Sequence, residues 1–354
     1  MLARVANNLF WMGRYIERSE HVARYLCVNY FSSLDAPNDF SQSRQFVLQS
    51  LRFMVGDPYS GSEPLHEPEV LFDIGLNTDK EYSIINCVKL ARENANSARD
   101  LISTELYEAI NKFYHFVLNY SVEDYKKRML YDFTTNVMEF TAILKAKIRT
   151  TLLQDEVYSI IKLGVNLERA MQVIRIINAK YNDILVIKMQ QQEQVQRIIA
   201  SQSQMQSSTL QSQSQSQSQS PASDPPSPLR QEHQSEVTLE WSTLLKCIES
   251  YDMMRRYHKK APDNMNTLDF LILNTNCPRS VVNSLAEVAN HIQVLSNEKN
   301  ISKNSSIFLV NKIYSEYKYK YIEEIEVDFR TFIEDILEKL VAISKKMEEE
   351  YFAY

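Results

Sequence analysis

The chain has 354 residues, 44% of them hydrophobic and five of them glycine, so it can bury a sizeable core and contains few helix breakers. Its formal net charge is −6 and no run of lysine and arginine exceeds three residues, which argues against binding to nucleic acid or to an acidic membrane surface. No apolar stretch approaches the length of a membrane span, and no signal peptide is predicted. Apolar residues at helical spacing instead predict an all-α protein.

The first predicted helix covers residues 5–33, where apolar residues recur at three- and four-residue spacing. A loop is expected over 34–42, a helix near 42–55, and an irregular stretch rich in glycine and proline over 56–69. Further helices are predicted over 79–103, beginning at Asp79, and over 104–120, 122–149 and 155–199.

Residues 200–235 differ from the rest of the chain because alternating Gln and Ser dominate them before a proline-rich end. Such a tract has too little apolar surface to offset its chain entropy, so we predict a disordered insertion. Helices resume over 236–258, and the apolar run 270–273 is expected to be a helix end or an extended plug. Asn276 is expected to cap a helix that carries Pro278 in its first turn and ends near residue 297. The last predicted segment, 305–350, is long and amphipathic.

The second half of the sequence repeats the first. Residues 160–181 align with 9–30 without gaps and are identical at six positions. The six are Gly13/Gly164, Glu17/Glu168, Arg18/Arg169, Val22/Val173, Arg24/Arg175 and Tyr30/Tyr181. A second echo aligns 77–88 with 274–285. The offsets of 151 and 197 residues differ by 46, about the length of the polar tract near 190–236, which indicates one duplicated unit with an insertion in its second copy.

We therefore predict a single all-α domain over residues 1–354, an internally duplicated helical bundle whose two Glu-Arg helices pack about a pseudo-twofold axis. The two repeats are expected at about 1–150 and 151–354, and the second contains the insertion.

Each copy centres on an adjacent Glu-Arg pair. Neighbouring residues on a helix point in directions about 100° apart, so each side chain needs a partner elsewhere. Arg169 has apolar neighbours on its own helix face, which predicts partial burial, and a buried charge requires a counter-charge. Pseudo-twofold packing would pair Glu17 with Arg169 and Glu168 with Arg18.

The proposed centre is a cluster of charged residues whose role the sequence leaves open. Its members are Arg14, Glu17, Arg18, Arg24, Glu168, Arg169, Arg175 and Arg279. A structural ion network is one interpretation, a binding site for a carboxylate or phosphate is another, and acid–base catalysis by Glu17 or Glu168 is a third. Arg279 is expected in the first turn of its helix, where the helix dipole disfavours a cation. It therefore requires a carboxylate partner, such as Glu17 or Glu168, or a ligand.

A second polar group lies at residues 92–100, within RENANSARD. Arg92, Asn96 and Arg99 share one helix face, with Glu93 and Asp100 beside them. Polar groups at contact spacing form either a second buried network or a solvated face, and the number of groups favours the network.

Motifs of catalysis and metal binding are absent from the sequence. The five glycines form no phosphate-binding loop, the histidines form no HExxH, and no Cys/His pair is indicated as a nucleophile. The sequence predicts no cofactor, no metal site and no catalytic residue. The four cysteines are isolated, which argues against a disulfide framework and is typical of a cytoplasmic protein.

Several segments of the sequence resemble the bacterial alpha-E family, an all-helical domain named for its Glu-Arg motif. The matching stretches are 8–24, 92–103, 163–175, 254–258 and 270–281, in the family's order. Two features depart from the family pattern: Val165 stands where a copy of Arg14 would be, and the Gln/Ser insertion is outside the family core. The resemblance implies an all-helical fold and no particular reaction.

Members of that family typically accompany ATP-grasp ligase-like and transglutaminase-like proteins, which implies a system that forms or processes peptides or amide bonds. We therefore expect a non-catalytic helical partner or adaptor in such a system, binding one of those proteins and neither nucleic acid nor membrane. The alternative is an enzyme or ligand-binding protein whose Glu/Arg centre acts on a peptide or amino acid. A third possibility is a structural oligomer built through the C-terminal helix.

Overall fold

A computed structural model describes residues 2–32, 44–127, 129–209, 228–296 and 302–352. Within these ranges the chain forms α-helices with short connections and no strand, which confirms the predicted all-α class. The helices of the first half are α1 (Ala3–Ser32), α2 (Arg44–Val55), α3 (Glu67–Gly75), α4 (Ile84–Ser97), α5 (Thr104–Leu118), α6 (Val122–Lys127) and α7 (Leu130–Thr151). Those of the second half are α8 (Glu156–Thr209), α9 (Pro228–Cys247), α10 (Tyr251–His258), α11 (Asn264–Ile272), α12 (Val281–Leu295), α13 (Ser306–Lys318), α14 (Ile322–Glu326) and α15 (Phe329–Met347).

Helices α1 and α8 pack along each other at the centre of the molecule. Two glycines permit the close approach. A Cβ atom on Gly13 would lie 2.5 Å from the carbonyl oxygen of Ile161, and one on Gly164 would overlap the carbonyl oxygen of Phe10. Each glycine thus makes room for the backbone of the opposite helix, so the two helices meet at the residues that the first sequence echo aligns.

The other helices surround this central pair in similar ways on both sides. Helices α4 and α7 pack on α1, while α12 and α15 pack on α8. Helices α4 and α5 pack on each other, as do α12 and α13, and α2 and α9 each contact both central helices. The hydrophobic core is continuous across all of these contacts.

The two stretches of the second sequence echo have the same local hydrogen bonds. Ser83 accepts a hydrogen bond from the backbone N–H of Asn86 and so caps α4, and Ser280 caps α12 through Asn283 in the same way. The Asn86 side chain donates to the carbonyl oxygen of Thr78, 2.6 Å away. The Asn283 side chain makes the matching bond to Thr275 over 2.9 Å. Serine caps of this kind satisfy backbone donors that a helix start leaves free.

These caps correct two predicted helix starts. Asp79 does not begin α4, because its backbone N–H donates to the Asn77 side chain in the turn that precedes Ser83. Asn276 does not cap α12, because its backbone N–H donates to Asn274, and the helix starts after Ser280. Both predicted starts lie in the turn that precedes the helix, whereas the capping residue is the serine that follows this turn.

Several predicted boundaries also differ from those of the structure. Helix α3 begins at Glu67, inside the stretch expected to be irregular, and the helices predicted over 122–149, 236–258 and 305–350 are each divided by a turn. Helix α8 continues to Thr209 and α9 starts at Pro228, so both extend into the insertion that was predicted to be disordered. Its remainder and the predicted loop 34–42 lie outside the described residues. The apolar run 270–273 closes α11, as a helix end.

None of the helices in the described ranges is both long and apolar enough to cross a membrane.

Candidate functional site

The Glu168 carboxylate binds two arginines of α1. The Nε of Arg18 donates to Oε1 over 2.7 Å and its terminal nitrogen to Oε2 over 3.1 Å, a bidentate pair. Arg14 donates from Nε to Oε2 over 2.8 Å. Gln172, one turn along α8, adds a fourth hydrogen bond of 2.8 Å to Oε1. Both oxygens of this carboxylate are therefore fully engaged.

The Glu17 carboxylate makes the reciprocal contact from α1 to α8. Arg169 donates from Nε to its Oε1 over 2.7 Å, and the Lys145 ammonium of α7 lies 2.6 Å from Oε2. The Lys145 contact is an ion pair in which the angles do not meet those of a hydrogen bond. Arg279 approaches Oε1 to 3.7 Å. The sequence predicted the two reciprocal Glu–Arg pairs, and the structure contains both.

Both carboxylates are ionised at neutral pH although neither is exposed to solvent. Burial alone would raise the pKa of Glu17, but Arg169 and Lys145 lower it well below its usual value. In the same way Arg18 and Arg14 outweigh the desolvation of Glu168 and lower its pKa. A carboxylate held in this state is a poor proton acceptor, so the geometry argues against acid–base work by either glutamate.

A second layer of charges around Glu17 includes three residues that sequence reasoning missed. Glu20, buried on α1, receives hydrogen bonds from Arg24 over 2.9 Å and from Arg279 over 3.1 Å. Lys145 also pairs with Glu20, and both Arg24 and Arg279 reach Glu249. Glu20 lies one turn from Arg24 on α1, a spacing that could have identified it. Lys145 and Glu249 carried no comparable signal, because they lie on other elements.

Arg279 therefore has a carboxylate partner, as expected, but the main partners are Glu20 and Glu249 rather than Glu17 or Glu168. It also lies just before the Ser280 cap of α12 rather than in the first turn of that helix.

The two sides of the centre differ in their charge balance. Met171 stands in α8 where α1 has Glu20, and Arg175 stands where α1 has Arg24. Arg24 pairs with two carboxylates, whereas Arg175 is exposed and has no ion pair within the described part of the chain. Arg175 remains accessible to solvent, yet the protein around it partly desolvates the guanidinium and lowers its pKa; Glu168 opposes this shift, and Arg18 and Arg14 add to it. The Glu168 side thus has three arginines near one glutamate.

Arg14 is additionally held by neutral groups. Its guanidinium lies 4.3 Å from the centroid of the Trp11 ring and donates to the Ser344 hydroxyl of α15 over 2.8 Å. Ser344 in turn donates to Glu348 over 3.0 Å. Val165 occupies the corresponding position of α8, so this link to the C-terminal helix occurs on one side of the centre.

The second polar group is not a buried network, which corrects the favoured interpretation. Asn96, Glu93 and Asp100 are exposed. Arg92 lies 4.6 Å from the centroid of the Tyr114 ring and Arg99 lies 4.4 Å from that of Tyr107. These arginines stack on tyrosines of α5 that helical periodicity within α4 could not reveal. The group is a partly solvated face between two helices.

Among the described residues, no group of three His, Cys, Asp or Glu side chains is arranged to hold a metal ion.

Comparison with known families identifies one match. The model of a family described as an alpha-helical domain with a conserved ER motif, Alpha-E, covers residues 1–352. No curated protein and no solved structure matches the chain. The dipeptide Glu-Arg occurs twice in the sequence, at 17–18 and 168–169, and both occurrences form the centre described above.

Replacing Arg169 with Met should lower the free energy of unfolding by about 3–5 kcal/mol, because it leaves the Glu17 carboxylate buried with less counter-charge. The Arg169→Met, Glu17→Gln double variant should lose less than the sum of the single variants, since the stranded charge is then gone. Urea titration of the four proteins measures the coupling. Arg197→Met on the same helix is the control, because its pair with Glu193 is exposed and should contribute less than about 1 kcal/mol. Strictly additive losses would contradict the paired arrangement.

His21 should make stability depend on pH between about 6.5 and 4. Burial lowers its pKa to about 4, although Glu17 and Glu20 oppose this shift. Between these pH values His21 binds a proton in the unfolded chain but not in the folded chain. The free energy of unfolding therefore falls by up to about 3 kcal/mol as the pH drops through this window. His21→Gln, which copies Gln172, should remove this loss. An additional loss begins near pH 4.5, where Glu17 and Glu168 bind protons in the unfolded chain but not in the folded chain, and it should remain in both proteins. Denaturant titrations from pH 7.5 to about 3 measure both effects, and identical curves would exclude the His21 contribution.

Proposed function

The chain belongs to the Alpha-E family, and from that premise we propose that it acts as a non-catalytic helical partner in a system that forms or processes peptide or amide bonds. The main support is the state of its central glutamates. Each is buried, ionised and bound by at least two cationic side chains, so neither can exchange a proton with a substrate near neutral pH. The centre then serves to hold the helices in place, and the outer surface performs the binding.

We also propose that the two halves arose by duplication and pack about a pseudo-twofold axis. Three observations support this. The glycine contacts between α1 and α8 are reciprocal, and so are the Glu–Arg pairs. The turns before α4 and α12 share their hydrogen bonds. Random similarity would not reproduce contacts at the aligned positions of both echoes.

The partner class follows from the family resemblance. An ATP-grasp ligase-like protein or a transglutaminase-like protein is the expected partner, and nucleic acid is not, given the net charge of −6. A cytoplasmic location is part of the proposal, supported by four cysteines that are free and buried.

A second candidate function is recognition of a carboxylate or phosphate group at the Glu168 side of the centre. The specific observation is the charge imbalance there. Arg175 is exposed without an ion pair in the described chain, and Arg18 is one-fifth exposed beside it. Guanidinium groups near the surface suit a bidentate anion such as the C-terminal carboxylate of a peptide.

The partner proposal predicts that the tagged full-length chain retains an ATP-grasp ligase-like or transglutaminase-like protein encoded beside it in a pull-down at about 0.1 M salt. Glu17→Gln, assayed at a temperature where it is folded, should bind with a Kd within about threefold of the parent, because the substituted group is buried. Absence of association with both proteins would contradict the proposal. Normal stability and normal partner binding combined with lost pathway activity would instead support the enzymatic alternative.

The anion proposal predicts that inorganic phosphate or a short peptide with a free C-terminus raises the melting temperature, and that Arg175→Gln lowers the affinity about tenfold by removing one guanidinium contact. Arg197→Gln, an exposed arginine of the same helix, should leave the affinity unchanged. If both substitutions lowered the affinity equally, the anion would be attracted by general electrostatics rather than bound at a specific site, and the proposal would be wrong.

A further inference from the structure

A second buried ionic cluster lies between α8, α2 and α9, separate from the Glu-Arg centre. Lys180 is 2.9 Å from the Glu240 carboxylate and 3.1 Å from Oδ2 of Asp183. Ser50 of α2 donates its hydroxyl proton to the same Oδ2 over 2.6 Å. Tyr25 of α1 lies 2.7 Å from the Ser50 oxygen and must be the donor there, because the proton of Ser50 is already directed to Asp183.

This cluster contains one cation for two carboxylates. The side chains of Lys180, Asp183 and Glu240 are between 4% and 6% exposed, and the hydroxyls of Ser50 and Tyr25 carry no charge. A surplus negative charge in a desolvated site is costly unless a proton or a cation balances it. Burial raises the pKa of Asp183; Lys180 opposes this shift and Glu240 adds to it. The single positive charge of Lys180 therefore does not fully balance the negative charge at Asp183.

Asp183 also has an oxygen that nothing in the described chain engages. Both of its polar contacts are made by Oδ2, which leaves Oδ1 without a hydrogen-bond donor. This oxygen is not enclosed like the Glu17 oxygen, since Asp183 lines a cavity of about 170 Å³ between α2, α8 and the loop after α2. The cavity is several times the roughly 30 Å³ that one water molecule occupies in the liquid.

The remaining lining of the cavity combines aromatic side chains with the polar residues Gln49 and Asn182. Phe46 and Phe53 of α2 contribute one wall, with Tyr59 and Pro58 of the following loop beside them. Aromatic faces carry partial negative charge and attract cations, and they also exclude water from an alkyl chain. A carboxylate oxygen that is open to a cavity with aromatic walls is complementary to an organic cation and unfavourable for an anion.

We propose that this cavity, with Asp183 at its base and Phe46, Phe53 and Tyr59 as its walls, binds a primary alkylammonium group. The ammonium donates a hydrogen bond to Oδ1 of Asp183 and balances the surplus charge of the cluster. Its alkyl chain lies against the aromatic rings. A lysine side chain, a diamine and an amino acid derivative all present this group, so the chemistry defines the ligand class and the experiment separates its sources.

Arg52 and Lys80 lie near the loop that follows α2, and both pair with a carboxylate that does not line the cavity. The Arg52 guanidinium is 5.5 Å from the centroid of the Tyr59 ring. It pairs with Asp57 over 2.8 Å, and Lys80 approaches the same carboxylate to 3.6 Å. The two cations share this one carboxylate, and none of the three residues lines the cavity.

Isothermal titration calorimetry of the full chain with n-butylammonium chloride tests the proposal, with sodium chloride holding the ionic strength constant. We expect saturable binding of the ammonium and at least about tenfold weaker binding of 1-butanol, which has a similar shape but no charge. Asp183→Asn should weaken ammonium binding by about tenfold and 1-butanol binding little. Glu193→Gln, an exposed carboxylate of the same helix, should change neither. Putrescine and Nα-acetyl-lysine methylamide then distinguish a diamine ligand from a peptide lysine.

Two further measurements keep the test decisive. The melting temperature of Asp183→Asn should equal or exceed that of the parent protein. The substitution removes the surplus negative charge, and Lys180 retains its ion pair with Glu240. If that variant fails to fold, Phe53→Leu retains the packing and removes one aromatic face, and it should weaken ammonium binding while leaving 1-butanol binding unchanged. Equal affinity for ammonium and alcohol, no heat of binding at millimolar ammonium, or unchanged binding in either folded variant would overturn the proposal.

Discussion

The structure depends on one constraint. Each of two adjacent helices buries a carboxylate away from water, and each carboxylate must be neutralised by the arginine that follows the other glutamate in the sequence. Glu17 can be buried on α1 only because Arg169 projects from α8, and Glu168 only because Arg18 projects from α1. The bonds are 2.7 Å long and cross the same interface in opposite directions. They determine the register of the two helices, since a shift by one residue would rotate a glutamate away from its arginine.

Close helix packing makes these bonds possible. Gly13 and Gly164 let the backbones of α1 and α8 approach each other, and an arginine can then reach across without extending into solvent. The short separation also excludes water, which strengthens each ion pair and increases the cost of losing one partner. The apolar faces of the surrounding helices complete the enclosure of the two carboxylates, which lie within a continuous hydrophobic core.

The two halves of the molecule differ in how the charges around their central glutamates are balanced. Around Glu17, Glu20 and Glu249 balance the additional cations, and Arg24 and Arg279 are paired. Around Glu168, Met171 replaces the second glutamate and Arg175 remains unpaired within the described residues. If the halves derive from one unit, as we propose, the closed side preserves stability while the other side retains positive charge near the surface. The Asp183 cluster shows the opposite imbalance, with a carboxylate oxygen that no donor in the described part of the chain engages.

Local sequence patterns determined the all-α class, the main helices and the aligned Glu-Arg segments, because apolar periodicity and repeated residues are properties of the chain itself. The reciprocal pairing followed from the internal echo together with the cost of an unpaired buried charge. Only the tertiary structure decided that Lys145, Glu20 and Glu249 complete the charge balance, that Arg92 and Arg99 stack on tyrosines, and that Asp183 lines a cavity together with aromatic side chains. Those contacts join helices distant in sequence, and packing geometry rather than any single-helix pattern selects which side chains meet.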